Sequence, residues 1–474
     1  MTKYYHGQNG INSLKIRYVH IILFLLVYFT MEDLILKFLP MPLELKGYLR
    51  FGGEIVLYMV FAYFLGTRVV QGHWHKATPI DTYFYLLLGL FVLNTIFYGV
   101  NPIRSFLAFR TIFRYLAAFY ILASISISDR DVRRFMGTVV VIGILQAVLA
   151  LMQHLLGREF TNFFIPETSD LEIAGVTKEF RIHTLNRAHN AIGTFGHTVT
   201  LAIFQVLTCT VVLAYFYYRP IKSKVISWAM KPKVLVVFLG LLLVSIFVTY
   251  TRASALVAIL IIIVLGLAAN QLKKLIYYGV IASVFAIPLL AILIVQSSGK
   301  EVTNPIDDFT HIFSRDYLEN EASNNRLWVL TKAVPIAVAK PNLIGYGGDV
   351  ERIRTKIYEE SGYKLDRILV YGPIKDVYWV TIFFYYGFIG LGLFIFIQYK
   401  VYKAADYLFR NDGQRTYKIL GLAMKGFVIV MAILSFFVVT WEFRPIAFTF
   451  WSLAGLAINR KRELIEEREN TVST

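Results

Sequence analysis

Cysteine is almost absent from this chain. Cys209 is the only one in 474 residues, so no intrachain disulfide can form and a cysteine-based metal site is not expected. Charge is scarce as well: 17% of residues are charged against 57% hydrophobic, and the mean hydropathy is +0.58. Those values exceed what a soluble domain needs and indicate an integral membrane protein. Acidic residues are outnumbered, 31 against 48 lysines and arginines, giving a formal net charge of +17. In a membrane protein that excess reflects cytoplasmic loops obeying the positive-inside rule, so no nucleic-acid partner is expected. The first apolar run, continuing past Glu32 and Asp33, lacks a small-residue cleavage site and reads as a retained span. Solenoid repeats and tandem similarity between the halves are also lacking.

What is present is a series of long apolar runs. A span needs ~20 mostly apolar residues, and twelve are expected, near 18–38, 51–70, 80–99, 105–126, 135–156, 191–217, 233–250, 252–270, 275–296, 376–399, 417–440 and 443–459. The fold class is therefore all-α: one polytopic transmembrane domain over residues 1–474, of about twelve transmembrane helices. The loops from even to odd spans collect the basic residues, among them Arg130, Arg133 and Arg134, then Lys400, Lys403 and Arg410. Placing those loops inside puts both termini in the cytoplasm. Two long polar loops, 157–190 and 297–375, then face outward, the second between spans nine and ten. Loops of that length usually carry function.

The most informative single residue is Arg252. It is the one charge between 234 and 269, and an arginine at a bilayer centre costs at least ~2.5–3.5 kcal/mol. The run is too long for one span and suits a hairpin of two with Arg252 at the turn, on the outer face. Four polar groups fall on that face. The first holds Arg181, His183, Arg187, His189 and then AIGTFGHTVTLA, which includes His197. Arg252 is the second. NNRLW (with Arg326) and KPNLIGYGGD (with Gly345) form the third, and YGPIKDVYW, with Lys375, Asp376 and Tyr378, the fourth. Arginine forks at a membrane interface suit a lipid-linked phosphate or diphosphate. GYGG lacks the Lys-Ser/Thr of a phosphate-binding loop, and an ordinary turn is its plain alternative. Arg252 could equally snorkel to the interface, and the histidines fit no clean metal-ligand spacing. Arg110 and Arg114, four residues apart on one helix face, support the same pocket or pair with Glu442 or Asp81.

In order, GTFGHTVTLA, TYTRASALVAIL, NNRLW with KPNLIGYG, and DVYW followed by YYGFIGLGLF resemble the O-antigen ligase/polymerase family of bacterial membrane glycosyltransferases, over residues 191–396. The resemblance implies a multi-pass protein of the bacterial cytoplasmic membrane. It would join glycans carried on undecaprenyl diphosphate at the outer face, for a capsule, exopolysaccharide or O-antigen. Donor and acceptor are both such lipid-linked glycans, no cofactor or metal is implied, and a chain-length regulator is a further partner. Where a ligase of the family would carry His-Asn, this chain has Lys375-Asp376, which argues for a polymerase over a ligase.

The chemistry also has a family-independent form. Displacing a sugar from a diphosphate requires neutralising the departing charge, for which Arg252 and Arg326 are the candidates. A partly desolvated carboxylate can take the acceptor proton, and Asp376 is best placed, with Asp349, Glu351 and Asp366 as rivals. Attack opposite the leaving group inverts the anomeric centre. Arg187, Arg181, His197, Gly345, Tyr378 and Lys375 are the expected substrate contacts. A lipid-linked glycan flippase, the reading from another class, would show two related halves and charges near the midplane.

Overall fold

A computed structural model describes residues 5–72, 76–165, 170–173, 176–179, 191–218, 231–271, 273, 276–277, 343–348, 352–353, 355 and 377–472. Those residues are overwhelmingly helical. The helices are α1 (Tyr5–Phe38), α2 (Leu43–Leu49), α3 (Gly52–Val70), α4 (Asp81–Phe97), α5 (Pro102–Phe113), α6 (Leu116–Ser124), α7 (Asp129–Leu156) and α8 (Arg158–Asn162). After them come α9 (Thr198–Tyr217), α10 (Pro232–Phe247), α11 (Arg252–Ala268), α12 (Tyr378–Asn411), α13 (Arg415–Leu434) and α14 (Arg444–Val472). A two-stranded antiparallel hairpin, β1 (Asp170–Ile173) and β2 (Val176–Glu179), pairs Asp170 with Glu179 and Ile173 with Val176.

Among the described residues, six helical segments are long and apolar enough to cross a bilayer: Tyr18–Phe38 of α1, Leu45–Val70, α7, α9, α12 and α13. The pair α5 and α6 passes the same test jointly across a 46° bend, and α4, α10 and α11 are shorter apolar helices. Of the ninth expected span, 275–296, only 276–277 fall among the described residues.

The bundle is organised around α9. Every residue from Thr200 to Tyr217 is buried, and α7, α10, α11 and α13 pack on it. A helix that is apolar on all sides belongs inside a bundle. Two of its threonine hydroxyls are satisfied within the helix, Thr208 donating to the Phe204 carbonyl at 2.9 Å and Thr210 to that of Leu207 at 2.7 Å. Gln205 donates to Gly143 O on α7 at 3.1 Å. The most extensive helix contact is α12 on α13. It depends on Gly421, where an added Cβ would lie 2.7 Å from both the Ala405 carbonyl oxygen and the Phe409 nitrogen. Small residues let membrane helices approach this closely.

The two ends of the bundle differ. At the basic end, α6 finishes with its last carbonyls capped from outside: Asn459 donates to Leu122 O at 3.0 Å and to Ile125 O, Arg462 to Ala123 O at 2.7 Å, and Arg68 to Ser124 O. Helix C-termini leave such carbonyls orphaned and favour cations there. Arg460 pairs with Asp412 at 2.9 Å and Glu467 at 2.7 Å, and Lys425 reaches Asp406 at 2.6 Å. The opposite end holds the entry to α9, the α10–α11 turn, the start of α12 and the connector from α13 to α14.

Candidate functional site

At this second end the residues 191–197 enter α9 as a pinned loop. Gly193 and Gly196 take φ values of 58° and 65°, in the left-handed region that glycine tolerates. Two glutamines of α7, two turns apart on one face, hold the loop in place. Gln153 accepts from the Ile192 and Gly193 amides at 2.9 and 2.8 Å and donates to Gly193 O at 3.1 Å. Gln146 accepts from the Thr194 amide at 3.0 Å and donates to its hydroxyl at 2.6 Å. That hydroxyl then donates to Thr30 O on α1 at 2.6 Å. The three side chains and the backbone groups they meet are buried, so the cost of leaving them unpaired fixes the loop conformation.

The same loop touches the turn that carries Arg252. The Ala191 amide donates to Val248 O at 3.2 Å. The turn reverses through Tyr250 at φ 57°. Thr249 bonds Ile246 O at 2.6 Å and the Thr251 hydroxyl. Arg252 then opens α11, half-buried. His197 stands at the N-cap of α9, its ring 5.6 Å from Phe443 in the α13–α14 connector.

Gly345 is engaged with backbone. The segment 343–348 lies against a break in α12 where Gly387 adopts φ 66°, ψ −166°. Tyr346 and Gly347 donate to Phe384 O and Tyr385 O at 2.8 and 3.1 Å, and Ile389 donates to Leu343 O at 3.1 Å. Asn94 of α4 adds 2.6 and 3.2 Å bonds to Ile344 O and Tyr385 O. Broken helices leave backbone groups that must be met inside protein, and the GYG segment meets them. At Gly345 (φ 83°) a Cβ would fall 2.5 Å from the Gly387 nitrogen and from the Tyr385 carbonyl.

Charge gathers around the connector. Arg444, at the start of α14, binds Glu32 of α1 at 2.7 Å and lies 3.7 Å from Glu54 of α3. Glu54 also pairs with Arg110 of α5, and with Arg114 at 3.6 Å. Arg114 sits between α5 and α6, in the bend of the broken span, and donates to Glu442 O of the connector. Arg50 pairs with Asp33 beside them, and Phe51 lies under Arg110 and Arg444 at 4.9 and 5.7 Å. Losing one partner of such a buried pair costs ~3–5 kcal/mol, because the other charge is stranded. Tyr378 is buried at the start of α12, within electrostatic reach of Arg114 and Glu442.

Two of the expected contacts, His197 and Tyr378, thus flank one connector. Arg252 is tied to the His197 loop through Val248, and Gly345 to α12, the helix that Tyr378 opens. Asp376, Lys375, Arg326, Arg187 and Arg181 lie outside the described residues, as do Asp349, Glu351, Asp366, His183 and His189. Asp81 is not the partner of Arg110 or Arg114: it accepts from Thr78 N at 2.8 Å and Tyr120 OH at 2.9 Å. Among the described residues no three of His, Cys, Asp and Glu gather as a metal-holding group. Sequence reasoning left Glu32, Glu54 and Arg444 unassigned. Their signal was charge set in or at the edge of an apolar run: Glu32 beside Asp33 in the first, Glu54 in the second and Arg444 at the start of the last. No family model matches the chain, and no curated protein matches it.

Proposed function

We propose that the chain is a metal-independent membrane glycosyltransferase that polymerises undecaprenyl-diphosphate-linked repeat units on the outer face of the bacterial cytoplasmic membrane. The observation that carries this reading is the Ala191–Val248 bond, which joins the loop leading into GTFGHT to the stretch of chain leading into TYTR, at the end of the bundle away from the basic helix termini. By the positive-inside rule that end faces outward, where lipid-linked glycans of this kind are joined. The remaining apolar helices α4, α10 and α11, the first half of α14 and the segment 275–296 bring the count from seven spans to twelve, with both termini cytoplasmic.

In this reading Arg252 and Arg326 hold the donor diphosphate and offset its charge as it departs. Asp376 accepts the proton of the acceptor hydroxyl, and displacement from the opposite side inverts the anomeric carbon. Lys375-Asp376 in place of His-Asn favours polymerase over ligase. The experiment is complementation of a deletion strain with wild type or Arg252→Ala, at matched protein level, with lipid-linked material separated by repeat number. Single repeat units alone are the expected result. Long chains that fail to reach their final acceptor would make the protein a ligase, and normal chains on the normal acceptor would remove Arg252 from the site.

A further inference from the structure

The bend between α5 and α6 carries more hydrogen-bond donors than its surroundings use. Arg114, Tyr115, Tyr378 and Trp441 are all buried, at 6%, 0%, 1% and 0% exposure. Arg114 Nε, the Tyr115 and Tyr378 hydroxyls and Trp441 Nε1 have no hydrogen-bond partner among the described residues. They belong to one neighbourhood. The Arg114 guanidinium lies 5.2 Å from the Tyr115 ring and bonds Glu442 O, next in sequence to Trp441. Trp441 and Tyr378 both pack on Phe394, at 5.4 and 6.0 Å, and Tyr378 lies within electrostatic reach of Glu442 and Arg114.

Buried donors are normally satisfied, and each exception calls for an explanation. The guanidinium Nε and the indole nitrogen can only donate, and the hydroxyls can donate too. The matching unpartnered acceptor, Glu54 Oε1, already lies within ion-pair distance of Arg114 and Arg444. A ligand that answers an excess of donors is one made of acceptors, and an arginine fork beside tyrosine hydroxyls fits tetrahedral oxygens.

We infer that the Arg114 bend, closed by the Thr440–Glu442 turn, is a binding site for one phosphate-class oxyanion. Arg114, Tyr115, Tyr378 and Trp441 are its donors. Only the source of the phosphate rests on the proposed function: a lipid phosphate or diphosphate headgroup, or the free ion. The half-buried Glu442 carboxylate flanks the site and opposes an anion there.

The test uses the full chain purified into detergent, stripped of lipid and titrated with inorganic phosphate and pyrophosphate at constant ionic strength. Binding is read by phosphorus-31 line broadening. Wild type should bind at least one probe, and Tyr378→Phe and Trp441→Phe should each weaken binding roughly tenfold, the loss of one charge-assisted bond. Glu442→Gln should tighten it, a sign that a merely structural role for these residues does not give. Phosphorus-containing lipid that co-purifies with unstripped wild type, and is released by pyrophosphate, identifies a headgroup as the source. Its absence, with binding by the stripped protein, identifies the free ion. Failure of well-folded wild type to bind either probe up to about 10 mM, where affinity would be under ~3 kcal/mol, overturns the inference. So does equal binding by wild type, Tyr378→Phe and Trp441→Phe. Neither result touches the glycan phenotype of Arg252→Ala, so the two proposals fail separately.

Discussion

Replacing Gly345 with alanine should release the 343–348 segment from α12 while leaving the bundle folded. The perturbation has two parts. An alanine at φ 83° bears a strain of ~1–3 kcal/mol. Its methyl must also avoid the Gly387 nitrogen and the Tyr385 carbonyl, each 2.5 Å away. Those atoms are main chain and cannot rotate aside, so overpacking adds ~1–3 kcal/mol. Relaxation shared between the two effects leaves ~2–4 kcal/mol, which at 1.4 kcal/mol per decade raises the undocked population ~30- to ~700-fold. Hydrogen exchange reads this directly, because the Tyr346, Gly347 and Ile389 amides are protected by the docking bonds and exchange in proportion to opening. In lipid nanodiscs, peptides covering those amides should exchange faster by that factor, with no change in α9 or α13. The control is Gly392→Ala on the same helix, where a Cβ meets nothing within 4 Å; it should leave exchange unaltered. Unchanged protection of Tyr346 and Ile389 in the Gly345 variant would refute the reasoning.

Other expectations follow from the same physics. Gln153→Leu orphans the buried Ile192 and Gly193 amides, each costing ~1–3 kcal/mol, so unfolding in a denaturing detergent should begin at markedly lower denaturant. Glu32→Gln and Arg444→Gln should each destabilise by ~3–5 kcal/mol, while the double variant loses less than the sum; a strictly additive cycle in the same unfolding assay would mean that the 2.7 Å pair is energetically idle. Gly421→Ala should wedge α12 from α13, since the atoms it meets are backbone, and lower the yield of folded protein after mild solubilisation.

Much of the helical framework was legible in the residues. The hairpin with Arg252 at its turn is present, since α10 ends at Phe247 and α11 begins at Arg252. The run expected as a span at 80–99 is helical as α4, Asp81–Phe97, a shorter apolar helix. Hydropathy could not resolve what happens within a run. Residues 191–197 are as apolar as a helix entry but fold as a loop, because Gly193 and Gly196 turn left-handed and two distant glutamines bind them. The run at 105–126 is one in composition and two in structure, broken at Arg114. The run at 443–459, expected as the twelfth span, lies in α14, which continues as helix to Val472. The ionic partners were least legible. Glu32 and Arg444 stand 412 residues apart, and an apolar helix gives no periodicity to say which face a lone charge occupies.

The complete enclosure of α9 bears on how the protein is made. Its neighbour α13 is translated roughly 200 residues later, which at ~5–20 residues per second is on the order of 10–40 s. For that interval α9 must persist against lipid, or against whatever receives nascent helices, before protein replaces it. Its residues suit both surroundings in turn. Thr208 and Thr210 satisfy their hydroxyls on their own helix and need no partner still to come. Gln205, which does need one, takes it from Gly143 on α7, a helix already synthesised. The order of the chain thus lets the central helix wait in the membrane with both threonine hydroxyls and the Gln205 amide donor already partnered.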